Sequence, residues 1–169
     1  MAIRKIIKND SDWLKKKSRD VTKFDKRLHT LIDDMIETMH DENGAGIAAV
    51  QVGVLRRVCV VVGADGEKVI ELVNPVIIEA EGNVECGEGC LSVPGIRGIV
   101  ARPEKVTVRA FDRNGTEFET KGEGIVARAF CHEIDHLDGV IFTSKVIRFI
   151  RPDEDDEYED YEEYEESEE

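Results

Sequence analysis

An α+β fold is predicted by three observations. Residues 24–41 repeat apolar side chains at helical spacing, residues 57–121 hold short β-branched runs separated by turn residues, and residues 125–138 return to a helical run. The expected architecture is antiparallel or mixed sheets packed around the second helix, with the N-terminal helix backing the core.

The first helix places Leu28, Leu31, Ile32, Met35, Ile36 and Met39 on one stripe and stops before Asn43-Gly44. Its histidines, His29 and His40, read as packing or surface groups. Strands are expected at 57–62, 69–73, 76–80, 96–101, 105–111 and 117–121. Alternation is clearest in Lys105-Val106-Thr107-Val108-Arg109, and Asn114-Gly115 supplies a hairpin turn between the last two strands. Cys59, within Arg57-Val58-Cys59-Val60-Val61-Val62, reads as a small buried hydrophobe. Gly124 precedes the second helical run and Gly139 follows it as a stop.

That second helix carries the chemistry. In His132-Glu133-Ile134-Asp135-His136 the two imidazoles stand four apart on one helix face, where they can grip one divalent ion while Glu133 projects beside it. A catalytic site needs a third protein ligand and an open position for water. No histidine follows His136, and a distant glutamate would have to come from the charge run at 154–157. Cys131 points to a different helix face. Cys90 lies in Gly87-Glu88-Gly89-Cys90-Leu91-Ser92-Val93-Pro94-Gly95, where the glycines let one loop deliver a thiolate and a backbone N–H to the same point. Cys86 leaves an alternative open. Together with Cys90, His132 and His136 it would close a four-ligand structural zinc site with no place for water. An ordinary HExxH endopeptidase is a further alternative, disfavoured by a thiolate ligand that comes from upstream.

Three motifs occur together: Gly44-Ala45-Gly46-Ile47-Ala48-Ala49-Val50-Gln51, Glu88-Gly89-Cys90-Leu91-Ser92 and His132-Glu133-Ile134-Asp135-His136-Leu137. In that order they resemble the peptide deformylases, over residues 3 to 143. The resemblance implies a metal-dependent hydrolase that removes the formyl group from the N-terminal methionine of newly synthesised proteins and releases formate. It implies Cys90, His132 and His136 as metal ligands with water as the fourth, and Glu133 as general base. It also implies the Gln51 amide and the Leu91 backbone N–H as oxyanion donors. Gly46 matches a position that bonds the peptide backbone, and Arg97 one that lines the cleft. Iron(II) is the implied metal in the cell, while two imidazoles and a thiolate also suit zinc, nickel or cobalt in purified protein. An oxygen-sensitive site of this kind fits a reducing cytoplasm. Two residues depart from the family pattern: Cys131 stands where glutamine is usual, and Ala45 where a branched residue is common.

The chain has 169 residues, 41% of them hydrophobic, enough for one domain with a proper core. Its formal charge is −14, but 13 of the 37 acidic residues fall in 153–169, leaving 24 against 23 Lys and Arg in the rest, a net of −1. The expected organisation is a single catalytic domain over 1–152 and a solvated, mostly disordered acidic tail over 153–169 that contains Tyr158, Tyr161 and Tyr164. Such a tail would be repelled by RNA phosphate, so only weak, transient ribosome contact is expected through it, and no specific nucleic-acid partner. No apolar run approaches about 20 residues and no leader pattern is present, so neither a membrane span nor secretion is expected.

Overall fold

The computed structural model describes residues 2–154, so the expectations for the rest of the acidic tail lie outside the described residues. Among the described residues two α-helices, α1 (Lys26–Asp41) and α2 (Ile125–Leu137), accompany eight strands. The strands are β1 (Gly46–Ala48), β2 (Val58–Val62), β3 (Val69–Glu81), β4 (Val84–Cys90), β5 (Val93–Arg102), β6 (Lys105–Phe111), β7 (Glu117–Glu123) and β8 (Val146–Ile150). They form a five-stranded sheet in the order β1-β2-β3-β6-β7 and a three-stranded sheet in the order β4-β5-β8, with every pair antiparallel. The α+β expectation holds.

The apolar run of β2 has a direct structural cause. Alternate side chains point to opposite faces. Cys59 and Val61 pack with Val126, Ala127, Phe130, Ile134 and Leu137 of α2, whereas Val58 and Val60 pack with Leu28, Leu31, Ile32, Met35 and Met39 of α1. The larger sheet is therefore covered by a helix on each face, and both faces of its centre are dry. α2 also touches β5 of the smaller sheet. Each fully buried Leu, Ile or Phe in these layers contributes about 1.5–3 kcal/mol. Cys59 is wholly buried, as expected, and burial pushes its thiol pKa well up.

Helix boundaries follow local chemistry. Asp25 caps α1 by accepting from the Leu28 N–H at 3.1 Å, and Asn43, at φ 53°, ends it while Gly44 N–H bonds Met39 O. The first helix thus begins two residues later than the sequence predicts, because the cap claims Asp25. His29 donates or accepts no metal-site contact; its Nε2 lies 2.8 Å from the Arg113 carbonyl, which makes it a donor there. Gly139, at φ 75°, closes α2 where a Cβ would lie 2.3 Å from Lys15 O.

The strands at 69–73 and 76–80 are one. β3 continues through Asn74-Pro75 with a register shift between Val73 and Val76. Asn74 adopts φ 51° and is held by three bonds: its side chain donates to Val21 O and accepts from Val21 N–H, and its own N–H donates to Arg57 O. Proline's missing N–H is accommodated at the bulge rather than ending the strand. The Asn114-Gly115 hairpin forms as expected, with Asp112 Oδ1 accepting from Asn114 and Thr116 N–H groups. β1, β4 and β8 have no counterpart among the predicted strands. Among the described residues no helix is long and apolar enough to cross a membrane.

Candidate metal centre

α2 is amphipathic in an unusual sense, since its buried face includes His132, Glu133 and His136 as well as apolar residues. The two imidazoles rise one turn apart, and their Nε2 atoms approach to 3.2 Å. β4 ends at Cys90, where a register shift between Glu88 and Cys90 precedes the tight turn into β5. That irregularity aims the sulfur inward: Cys90 Sγ lies 3.3 Å from His136 Nε2, and the three ligand atoms all fall within 4.8 Å of one another. Around a tetrahedral ion with bonds of about 2.0 Å to nitrogen and about 2.3 Å to sulfur, N···N and S···N edges come to roughly 3.3 and 3.5 Å. The donor set fits a divalent metal.

Electrostatics agree with that fit. Burial, followed by the neighbouring His132, drives the His136 pKa down to about 3, so its ring stays neutral with a lone pair to give. Burial also disfavours charge on His132, but hydrogen bonds with Cys90 and Glu88 outweigh it and hold that ring well above the ordinary imidazole range. A cation and a proton would compete for its Nε2.

The orientation of His132 is set by residues that the sequence did not single out. Glu88 accepts from His132 Nδ1 at 2.5 Å and takes a bidentate pair from Arg102, at 3.1 Å from Nε and 2.7 Å from Nη2. Arg102 Nη1 then reaches Asp135 at 2.6 Å, and Lys145 pairs with the same carboxylate. Burial opposes ionisation of Glu88, yet the bonds from His132 and Arg102 lower its pKa to about 2. This carboxylate–imidazole arrangement fixes the tautomer and ring angle of a ligand. A charged residue between two glycines inside a strand was the available signal. The departure at Cys131 leaves this network intact: Cys131, itself on α2, packs into the apolar core, while the bonds among Glu88, His132, Arg102 and Asp135 form alongside it.

Glu133 stands next to the candidate ligands with Oε1 4.0 Å from His132 Nε2, and its buried Oε2 has no hydrogen-bond partner among the described residues. Burial raises its pKa to about 7. Gly46 leaves room for it: a Cβ there would lie 3.0 Å from Glu133 Cγ and Oε1. Gln51 is fixed in a buried turn, accepting from Ala48 N–H at 2.9 Å and donating to Ser92 Oγ at 3.0 Å, with Nε2 3.7 Å from Cys90 Sγ. Leu91 occupies the turn after Cys90. A cleft of about 430 Å³ opens over these groups, and Gly46, Gln51, Leu91, Arg97, His132 and Glu133 all border it.

Cys86 is not part of the cluster. It lies on β4 opposite Val100, four residues from Cys90, and strand rise separates such positions by about 13 Å. The four-ligand zinc alternative fails on that geometry. The four cysteines form no disulfide.

An α+β domain whose His-Glu-x-x-His helix meets a strand-borne cysteine belongs among the metal-dependent hydrolases. Residues 3–151 match the family model for polypeptide deformylase, and the chain belongs to that family. It is 55% identical over 154 residues to the peptide deformylase of Caldicellulosiruptor bescii, covering 91% of this chain and 92% of that one. Against the peptide deformylase of Acetivibrio thermocellus the identity is 51%, over 91% and 89% of the two chains. The crystal structure of a peptide deformylase from Legionella pneumophila superposes with a TM-score of 0.83 at 45% identity, covering 89% of this chain and 88% of that one. An actinonin-bound class I type b peptide deformylase from Acinetobacter baumannii gives 0.80 at 35% identity, over 86% and 99%. This chain is accordingly a deformylase, an enzyme that removes the N-formyl group from nascent peptides.

Proposed function

We propose that deformylation by this chain runs on one divalent metal held by Cys90, His132 and His136, with Glu133 carrying the proton. The observation that carries the assignment is the convergence of one sulfur and two Nε2 atoms beside a buried carboxylate. When bound, the ion supplies Lewis acidity, lowering the pKa of water and polarising the formyl oxygen. Glu133 takes a proton from the attacking water at its carboxylate and returns one to the departing amine nitrogen. Burial by itself raises this carboxyl's pKa to about 7 in the metal-free protein, so Glu133 can hold a proton as well as take one. Gln51 Nε2 and the Leu91 backbone N–H donate to the developing oxyanion, and loss of one such donor costs about 3 kcal/mol of barrier. The Ala48 N–H fixes the plane of the Gln51 amide and Ser92 Oγ takes one of its two N–H groups, which leaves the one directed toward Cys90 Sγ at 3.7 Å to serve the oxyanion. Gly46 bonds the peptide backbone and Arg97 borders its path.

Iron(II) is the proposed ion in the cell, with zinc, nickel or cobalt able to replace it in purified protein. Thiols without disulfides accord with a reducing cytoplasm as the working compartment. Residues 1–152 are proposed as the catalytic domain and 153–169 as an acidic appendage. Ribosome contact through that appendage is weak, since carboxylates repel RNA phosphate; a truncation after Pro152 that lowers ribosome binding would refute this.

The deciding experiment is anaerobic measurement of formate release from a formyl-methionyl peptide by the unchanged chain and by Glu133→Gln. The variant keeps its metal and loses 10²–10⁴-fold in turnover on the scale of general acid–base catalysis. Full turnover in the variant, or loss of metal with it, refutes the assignment.

A further inference from the structure

We propose that the basic groove beside the start of α1 is a docking site for single-stranded RNA, held through its phosphates without regard to sequence and separate from the metal centre.

Three observations carry it. First, charge is segregated: residues 1–30 hold 10 Lys and Arg against 4 Asp and Glu, a net of +6 in a chain of net −14. Second, the fold gathers part of that excess in one place. Two grooves of about 640 and 430 Å³ adjoin there and share Arg27, Val54 and Arg56. Arg19 and Lys23 border the larger groove and Lys26 the smaller. Among the described residues none of these five cations forms an ion pair. The carboxylates of the larger groove are engaged elsewhere, since Asp25 accepts from Leu28 N–H as the cap of α1 and Asp20 lies 3.9 Å from Arg57 Nε. Third, the cations sit where the protein alone gains nothing from them. Arg19 and Arg56 face each other across an isolated parallel bridge, fixed by Arg19 N–H to Leu55 O at 3.1 Å and Arg57 N–H to Arg19 O at 2.8 Å, and like charges so opposed repel. Lys26 and Arg27 occupy the first turn of α1, where the macrodipole disfavours positive charge. A polyanion laid in the groove relieves both.

The lining selects the class of polyanion. Between the cations runs an apolar floor of Trp13, Val54 and Leu55, each only partly buried. Cations that track a backbone, beside surfaces on which bases rest, are the features of single-strand channels. An acidic peptide would match the charge but has no flat group for that floor. Work on nascent peptides also keeps the enzyme where RNA is the abundant polyanion. Five phosphate contacts to a single strand give a slope of about −3.5 for log affinity against log salt.

The test is fluorescence anisotropy of a labelled oligouridine of about 12 nucleotides, within the length one channel spans, titrated with the full chain. Binding is expected with a Kd of order 10 µM at about 50 mM salt and a slope near −3.5. Arg27→Gln/Arg56→Gln weakens it about tenfold and brings the slope to about −2. Lys23→Gln/Lys26→Gln changes only exposed side chains and has the same effect, which separates the loss of phosphate contacts from any misfolding caused at half-buried Arg56. Lys105→Gln/Lys121→Gln, on the face formed by β6 and β7, leaves the affinity within about twofold. Formate release by the groove variants matches that of the unchanged chain, because none of the five cations borders the substrate cleft. Three results overturn the proposal: no binding at about 200 µM protein and low salt, an affinity and slope that ignore both groove variants, or equally tight binding of a polyglutamate of the same charge, which would make the groove a site for acidic protein.

Discussion

Glu88→Gln separates the orienting carboxylate from the proposed ligand His132. The substitution keeps shape and leaves an oxygen for His132 Nδ1, but removes the charge that faces both His132 and Arg102. Glu88 is 6% exposed and Arg102 4%, so their pair is screened little by water. Breaking a buried pair by removing one partner costs about 3–5 kcal/mol. Arg102 keeps Asp135 at 2.6 Å, which reduces that cost toward about 2–3 kcal/mol. For a domain of this size that is a fall in Tm of roughly 5–10 °C. Metal affinity falls about 10–100-fold, as for other orienting partners of ligating histidines. Competition with a chromophoric chelator at pH 7 gives the affinity, and thermal melts of metal-free protein give the stability. A metal Kd within twofold of the unchanged chain, alongside a lowered Tm, would refute the orienting role and leave Glu88 a purely structural residue.

Gly46→Ala puts a Cβ 3.0 Å from Glu133 Cγ and Oε1, so kcat drops at least tenfold while metal content, read by elemental analysis, is retained. Cys86→Ser leaves both metal and formate release unchanged, because that side chain is remote from the cluster. Asp34, buried beneath Arg4, has a pKa held below the usual carboxylate value. Burial opposes this, but bonds from the Ala2 N–H and from Arg4 outweigh it. A depressed folded-state pKa contributes stability above the ordinary carboxylate range that disappears as pH falls through the folded value. Asp34→Asn therefore lowers Tm at pH 7, by a cost of about 1–3 kcal/mol, and the gap to the unchanged chain narrows in melts at acid pH. Gly139→Ala, with φ 75° and Lys15 O 2.3 Å from the new Cβ, destabilises by at least about 1–3 kcal/mol in chemical denaturation.

Much of the scaffold is legible along the chain because helix and strand periodicity are local properties. The stripe of α1, the hairpin at Asn114-Gly115 and the phase of His132 and His136 all emerge from spacings of two to four residues. Strands that lack a periodic signal do not emerge: β4 holds Cys86, two glycines and two glutamates, and β1 has only three residues. β3 looked like two strands because Asn74-Pro75 interrupts a ladder, yet the bonds to Val21 and Arg57 that carry it through are contributed from distant segments.

Residue types, helix phase and the separation of charge between body and C-terminus are written in the order of amino acids alone. They name the possible ligands and the family, and they place Glu133 beside the imidazole pair. The choice between Cys86 and Cys90 depends on strand rise and on the register shift at the end of β4. The partnership of His132 with Glu88, Arg102 and Asp135 depends on how two sheets and one helix pack. Those contacts join residues up to 44 positions apart, beyond the reach of any local periodicity, and form only when buried apolar layers bring the segments together.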